Sequence, residues 1–414
     1  MRPGRATSKG DIEAMREHSV LILGGGTAGI TVAARLKRAD RGLDVAVVEP
    51  SKDHWYQPLW TLVGAGVATV EETRRDEAKV MPKGVDWIQD RVVAIDPEQH
   101  QVTLAGGDTV RYEQLVVGLG IEMAWDSVDG LKEALNHDGV ACNYLPDGAE
   151  ATWKELQAFD GGTMLFTNPL GQVKCGGAPQ KILYLAEDYV RRHGLRDKTK
   201  VIGAFAGTKM LGVPEINATL ESIVAERDID MLFHHNLVAI DGQAKKATFE
   251  RLDQEGHPHV TLDYDFIHVT PPMRAPQVVR ESPLAVTDGP HQGYVEVDLH
   301  TMRSPSWPDV FALGDVAAIP TAKTGAAVRK QAPVLVDHLM AARKGGTSKK
   351  SYDGYSSCPL VTGYGRLVLA EFTYDNVYAP TFPVDQTKER WDMYMLKRHI
   401  LPQMYWHGML RGLA

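Results

Sequence analysis

Three cysteines in 414 residues, Cys142, Cys175 and Cys358, are too few and too scattered for a disulfide framework or a zinc site, and no metal centre is expected. No uncharged apolar run reaches 18 residues, which excludes a bilayer-spanning helix. Basic residues are outnumbered, 45 Lys and Arg against 53 Asp and Glu. The resulting charge of −8 argues against nucleic acid as a partner, because a phosphate backbone needs a basic face. Low-complexity segments and short-period repeats are missing as well. The stretch Met1 to Glu17 has neither the apolar core of a secretory signal nor the acid-poor composition of a transit peptide, and reads as a frayed leader. What is present is a globular composition, 43% hydrophobic and 24% charged, long enough for two or three domains.

The strongest local pattern is Val20-Leu21-Ile22-Leu23-Gly24-Gly25-Gly26-Thr27-Ala28-Gly29-Ile30. An apolar strand enters it and an apolar-patterned helix leaves it. Gly24 permits the tight turn, Gly26 lets backbone approach a pyrophosphate, and Gly29 lets helix and strand pack closely. Thr27 and Ala28 present backbone at the helix start. A second apolar run, Leu43 to Val48, ends at Glu49, whose carboxylate can accept ribose hydroxyls. The reading is an adenine-dinucleotide site; the alternative is an empty α/β turn.

His54-Trp55-Tyr56-Gln57-Pro58-Leu59-Trp60 suits either the wall of a ring-binding pocket, with Gln57 as its polar contact, or a loop capping the core. Strands are expected within Val85 to Asp96 and Gln101 to Leu104, where Val92 can offer backbone to an adenine. Leu115 to Val117 is a buried strand that closes in Gly118, another point of backbone approach. From about Trp125 to Pro290 a second α/β unit follows, with strands at Gly162 to Thr167 and Lys200 to Gly207. It does not repeat the Gly-x-Gly-x-x-Gly spacing, so it is expected to bind no nicotinamide dinucleotide. Val310 to Asp315 then returns to the first unit. Asp315, and Lys323 ahead of a helix over Ala326 to Ala342, stand where a flavin's ribityl or pyrophosphate part would be held; an N-capping aspartate is the plainer option for Asp315.

The tail, Trp391 to Arg411, mixes Met, Leu, Trp and Tyr with Lys397, Arg398 and Arg411. That composition fits an interfacial membrane segment as well as a helix packed on the protein. Cys175 precedes an expected helix, Gln180 to Arg192, and stands beside Lys174; both features lower a thiol's pKa and favour the reactive thiolate. Cys142 has no helix start or basic neighbour and reads as a structural thiol. Cys358 lies in a loop with nothing local to assign it.

Taken with Lys174-Cys175-Gly176-Gly177-Ala178-Pro179-Gln180-Lys181, Val269-Thr270-Pro271-Pro272-Met273, Tyr352 to Tyr364 and Phe382 to Arg390, the chain from about His18 to Leu413 resembles the sulfide:quinone oxidoreductases of mitochondria and related bacteria. The resemblance implies an α/β fold of two Rossmann-like domains, as in disulfide-reductase flavoproteins, with a C-terminal membrane-docking segment. The implied parts are an FAD domain over 18–124 and 291–345, a second Rossmann-like domain over 125–290, and a quinone- and membrane-docking region over 346–414. It implies bound FAD, Cys175 and Cys358 as the redox pair, and electron transfer from sulfide to ubiquinone or another membrane quinone. A small acceptor, glutathione or sulfite or a similar molecule, would remove the sulfane sulfur. Cys358 is expected to hold the persulfide first and Cys175 to face the flavin. Lys397 is the candidate cation near the flavin C2 carbonyl or a quinone oxygen, against the alternative of a membrane-surface lysine. The expected location is peripheral, on a bacterial inner membrane, or on the mitochondrial inner membrane in a eukaryote. Mitochondrial members continue beyond the point matching Ala414, which implies a weaker membrane grip here. Two rivals are an NADH:quinone oxidoreductase on the same fold and a non-enzymatic flavin-bound sulfide sensor.

Overall fold

The computed structural model describes residues 16–414. Arg16 and Glu17, expected in a frayed leader, belong to the first strand, paired with Val110 and Arg111. The remainder of that leader lies outside the described residues.

Alternating apolar strands and helices build a seven-stranded sheet around Arg16–Leu23. That strand lies parallel between Val45–Val48 and Thr109–Val117, and Asp86–Ile88 extends the sheet beyond Val45–Val48. Gln101–Leu104 and Val92–Asp96 add an antiparallel edge. Val310–Ala312, arriving almost two hundred residues later, pairs parallel with Thr109–Val117. The late strand delivers Gly314 and Asp315 to the same sheet end as the glycine-rich turn. In open α/β sheets that C-terminal edge is where ligands bind. The central strands carry near-continuous Val, Leu and Ile and are buried on both faces, as parallel strands covered by helices require.

A second parallel sheet runs Val140–Ala141, Phe266–His268, Gly162–Asn168, Thr199–Phe205, Asp230–Leu232. Its Thr199–Phe205 strand does not turn tightly into a helix; the next helix, Pro214–Glu226, begins only after a connector of residues 206–213. Two glycines of this unit are closely approached by side chains. A Cβ on Gly203 would stand 2.6 Å from Met231 Sδ, and one on Gly212 2.7 Å from Asn376 Cγ.

The C-terminal region contributes a hairpin, Ser356–Gly363 with Arg366–Phe372, and the tail. The tail is not a free appendage. It starts as the helix Trp391–Met395 and continues through wide turns at Leu396–Ile400 and Met404–Gly408. Met393, Tyr394, Tyr405, Trp406, Met409 and Leu410 are buried in the main core. Arg35 donates to the Ala414 carbonyl at 2.5 Å, which ties the chain end to the Thr27–Ala39 helix. Trp391, Ile400 and Leu413 stay exposed. The composition that fits both a membrane segment and a packed helix therefore describes a segment with one buried face. No described helix is long and apolar enough to cross a membrane.

Candidate active site

The glycines of the first turn act by contact. Gly24 has φ +96°, and a Cβ there would lie 2.6 Å from the Gly118 carbonyl oxygen. A Cβ on Gly29 would lie 1.8 Å from the Gly24 carbonyl oxygen, so only glycine lets helix and strand approach. Gly29 thus acts behind the turn, while Gly24 and Gly26 open onto a cleft of about 1040 Å³. Nothing stands within 4 Å of the Cβ position at Gly26. The Thr27–Ala39 helix begins there with no side-chain cap and no acid in its first turn. Free N–H groups and the positive end of the helix dipole face that space, which suits a pyrophosphate.

The same cleft is lined by Thr27, Ala28, Glu49, Gln57, Val92, Gly118, Cys175, Asp315, Lys323 and Lys397. Glu49 Oε2 accepts from the Gly25 N–H at 2.8 Å and Oε1 from the Ser51 N–H at 2.7 Å, which fixes the carboxylate with lone pairs to spare. Asp315 is held up from the ordinary carboxylate range by burial, with Lys323 and Lys174 opposing. Burial pushes Lys323 down to about 8, with Asp315 opposing. Tyr56, Gln57, Pro58 and Trp60 form part of the wall. The open cradle at Gly26, the Glu49 and Asp315 carboxyl groups in the lining and the volume of the cleft fit FAD.

Cys175 Sγ and Cys358 Sγ stand 3.4 Å apart. The backbone explains how. The Cys175 N–H donates to the Lys323 carbonyl at 2.8 Å, tying the cysteine to the first unit. Cys175 has φ +59°, a left-handed conformation uncommon outside glycine, and its carbonyl accepts from Ala178 at the start of the Ala178–Arg192 helix. That turn separates the directions of neighbouring side chains. Lys174 Nζ points away and donates to Gln57 Oε1 at 2.7 Å. The expectation that Lys174 activates the thiol is corrected here. Lys181, in the first turns of the helix, donates to Cys175 Sγ at 3.0 Å. A long helical side chain leans toward its helix N-terminus, which brings Lys181 back over Cys175.

Cys175 is held well below the ordinary thiol range, first by the hydrogen bond from Cys358 and then by Lys181, with Lys397 adding a smaller pull. Burial opposes this. Cys358 is pushed up by sharing that hydrogen bond and by burial. Cys175 is therefore the thiolate of the pair and Cys358 the thiol. Only Cys175 of the two lines the cleft; Cys358 lies just behind the wall made by its neighbours Ser357 and Pro359. A Cβ on Gly177 would come within 2.8 Å of Cys358 Sγ, so this glycine makes room for the second sulfur. Cys142 is fully buried, and burial lifts its thiol to about 12.

Lys397 is no surface lysine. It is 3% exposed, donates to the Pro58 carbonyl at 2.9 Å, and is pushed down to about 7, chiefly by burial and then by Lys181. Sequence reasoning missed Lys181 and Tyr405. The i, i+6 spacing of Cys175 and Lys181 suggests nothing until the positive-φ turn and helix start are placed between them.

Replacing Lys181 with Met should raise the Cys175 pKa, because the ammonium at 3.0 Å is lost while burial remains. The rising limb of sulfide-dependent flavin reduction should move up by about one pH unit or more. An unchanged pH profile in rapid-mixing absorbance would remove Lys181 from the site.

A glycine-rich phosphate turn, a cleft that fits a flavin nucleotide and a facing pair of sulfurs define a disulfide-reductase-type flavoprotein. Residues 18–146 match the family described as Pyridine nucleotide-disulphide oxidoreductase. The mouse protein "Sulfide:quinone oxidoreductase, mitochondrial" is 43% identical over 96% of this chain and 88% of its own length. Its Dictyostelium discoideum counterpart is 42% identical over 95% and 86%. The crystal structure of the sulfide:quinone oxidoreductase of Aquifex aeolicus superposes with a TM-score of 0.78 at 20% identity, covering 96% of this chain and 91% of that one. The chain belongs to the sulfide:quinone oxidoreductase family.

Proposed function

We propose that this protein oxidises sulfide at the Cys175–Cys358 pair and reduces a membrane quinone. It is an FAD-dependent sulfide:quinone oxidoreductase. The observation that carries the assignment of roles is the sulfur pair, 3.4 Å apart, with Lys181 on one member only. Two S–S bonds of about 2.05 Å meeting at a near-tetrahedral angle span about 3.3 Å, so the pocket suits a pair bridged by one further sulfur as well as a closing disulfide.

In the oxidised pair, where an S–S bond joins Cys358 to Cys175, hydrosulfide attacks the Cys358 sulfur and forms a new S–S bond there. The bond to the Cys175 side breaks, its electron pair stays on Cys175, and Lys181 stabilises the departing thiolate. A low-pKa thiol is the better leaving group. Cys358 is left as the persulfide, and Cys175 is left on the cleft wall. The chemistry that FAD supplies when bound is two-electron exchange between the sulfur side and the quinone. Gly24, Gly26, Thr27, Ala28 and Gly118 hold its phosphates and Glu49 its ribose. Val92 offers backbone to the adenine, and Asp315 and Lys323 hold the ribityl end. Gln57 orients Lys174 beside the pocket. Lys397, poised near neutrality, stands as the cation for a flavin or quinone oxygen. The FAD unit takes residues 18–124 and 291–345, the second α/β unit 125–290 and the docking region 346–414.

A small thiol or sulfite removes the sulfane sulfur. Ubiquinone or a related quinone enters from the membrane surface, that of the mitochondrial inner membrane in a eukaryotic host or the bacterial inner membrane otherwise. Phe382 and Ile400 support an entry there, since both line the cleft and both are exposed. Changing Trp391, Ile400 and Leu413 together to Ser should release the protein from vesicles in a flotation assay while the flavin stays bound. Retention on the vesicles would place the docking surface elsewhere.

The missing second glycine pattern, with eight residues between the Thr199–Phe205 strand and the next helix, counts against NADH as donor. The test is anaerobic. Sulfide should bleach the yellow holoenzyme and a soluble quinone should restore the colour, whereas NADH should do neither. Rapid bleaching by NADH, or none by sulfide, would overturn the reading.

A further inference from the structure

A buried chain of polar groups joins the C-terminal tail to the phosphate turn. Glu77 Oε2 lies 3.0 Å from His54 Nδ1, and His54 Nε2 lies 2.6 Å from the Tyr405 hydroxyl. That hydroxyl lies 2.9 Å from Thr27 Oγ1. Glu77, His54 and Tyr405 are each no more than 3% exposed. Thr27 is the first residue of the helix whose N-terminus faces the cleft, and both Thr27 and Tyr405 line that cleft. None of these contacts is needed to bring the sulfurs together.

Each group in the chain holds the next, so Tyr405 fixes the Thr27 hydroxyl at the cleft end. When Tyr405 donates to Thr27, the Thr27 proton is left to turn into the cleft, where a phosphate oxygen at the helix start can accept it. The groups packed about the imidazole are Glu77, Tyr405 and Trp406, with Arg75 over the Trp406 ring and Glu49 near Glu77.

We propose that Glu77, His54 and Tyr405 form a hydrogen-bonded relay that positions Thr27 for a phosphate oxygen of the bound dinucleotide, so that the tail and the cofactor hold each other in place. Tyr405 and His54 are positioning residues; Thr27 makes the contact. The coupling is reciprocal: a seated tail slows cofactor loss, and a bound cofactor keeps the tail seated. The inference rests on reading the cleft as the FAD site, which the yield of one flavin per chain in the wild-type protein tests separately.

The experiment is release of flavin from diluted holoenzyme, followed by the fluorescence of free flavin. Tyr405→Phe keeps the ring and loses the hydroxyl; it should release flavin about tenfold faster, as expected for one lost hydrogen bond to a charged group. Thr27→Val should do the same without touching the tail, and Thr27→Ser should match the wild type. The double variant Tyr405→Phe/Thr27→Val should be no faster than either single one, because both break one chain. In the wild type, added FAD should also protect the bonds after Lys397 and Arg398 from trypsin. Tyr405→Phe that keeps the wild-type rate, a double variant that releases flavin much faster than either single one, or Thr27→Ser that behaves like Thr27→Val would each overturn the relay.

Discussion

Serine at Cys175 or at Cys358 lowers the rate of flavin bleaching by sulfide roughly a thousandfold or more, while the protein stays yellow. The hydroxyl is close to isosteric, but it ionises too weakly to serve as leaving group and cannot form the S–S bond. No neighbour takes over, since Cys142 is fully buried with its thiol raised to about 12. The two sulfurs act as one unit 3.4 Å apart, so the double variant is little worse than either single one. Cys142→Ser keeps near-normal turnover with at most a small stability loss. The check is stopped-flow absorbance on the three single variants. Normal bleaching in Cys175→Ser, or its loss in Cys142→Ser, would mean that a different pair carries the chemistry.

Ending the chain at Arg390 is expected to cost the flavin as well as the proposed membrane contact. The tail puts Leu396, Lys397, Ile400, Leu401, Met404, Tyr405 and Met409 into the cleft wall. It also buries Met393, Tyr394, Tyr405, Trp406, Met409 and Leu410 in the main core. Burying a large apolar side chain contributes about 1.5–3 kcal/mol, so losing six approaches the whole net stability of a typical domain. The truncated chain is expected to purify colourless, with its melting temperature lowered by about ten degrees or more. A yellow truncated protein with normal bleaching by sulfide would show that the buried face contributes little.

The parts legible in the sequence are those whose chemistry is local. The strand, Gly24, Gly26, Gly29 and Glu49 sit within one βαβ stretch, and the glycines have steric reasons that the structure repeats at 2.6 Å and 1.8 Å. The missing second glycine pattern was equally readable, and the Thr199–Phe205 strand is followed by a connector rather than directly by a helix. Lys181 was hidden because Cys175 has a positive φ, which sends the adjacent Lys174 to Gln57 and lets a helix bring in a residue six positions on. No spacing rule pairs Cys175 with Cys358; resemblance alone suggested it. The tail was ambiguous for a compositional reason: Met, Trp, Tyr and Lys serve a lipid interface and a protein interior alike, and this segment buries one face while Trp391, Ile400 and Leu413 stay exposed. Tyr405 gave no signal, because a tyrosine reaching Thr27 across 378 positions has no local trace.

The second α/β unit also bears on redesign. An engineer who wished to feed this flavoprotein with a soluble hydride donor could not do so by restoring glycines to the Thr199–Phe205 strand. The next helix, Pro214–Glu226, starts only after eight intervening residues, so added glycines would not by themselves make the tight strand-to-helix turn that holds a phosphate. At Gly203 and Gly212 the side chains of Met231 and Asn376 already stand close, so changes there must be matched in the elements that carry those two residues. Such a redesign means rebuilding a connector rather than substituting residues one at a time.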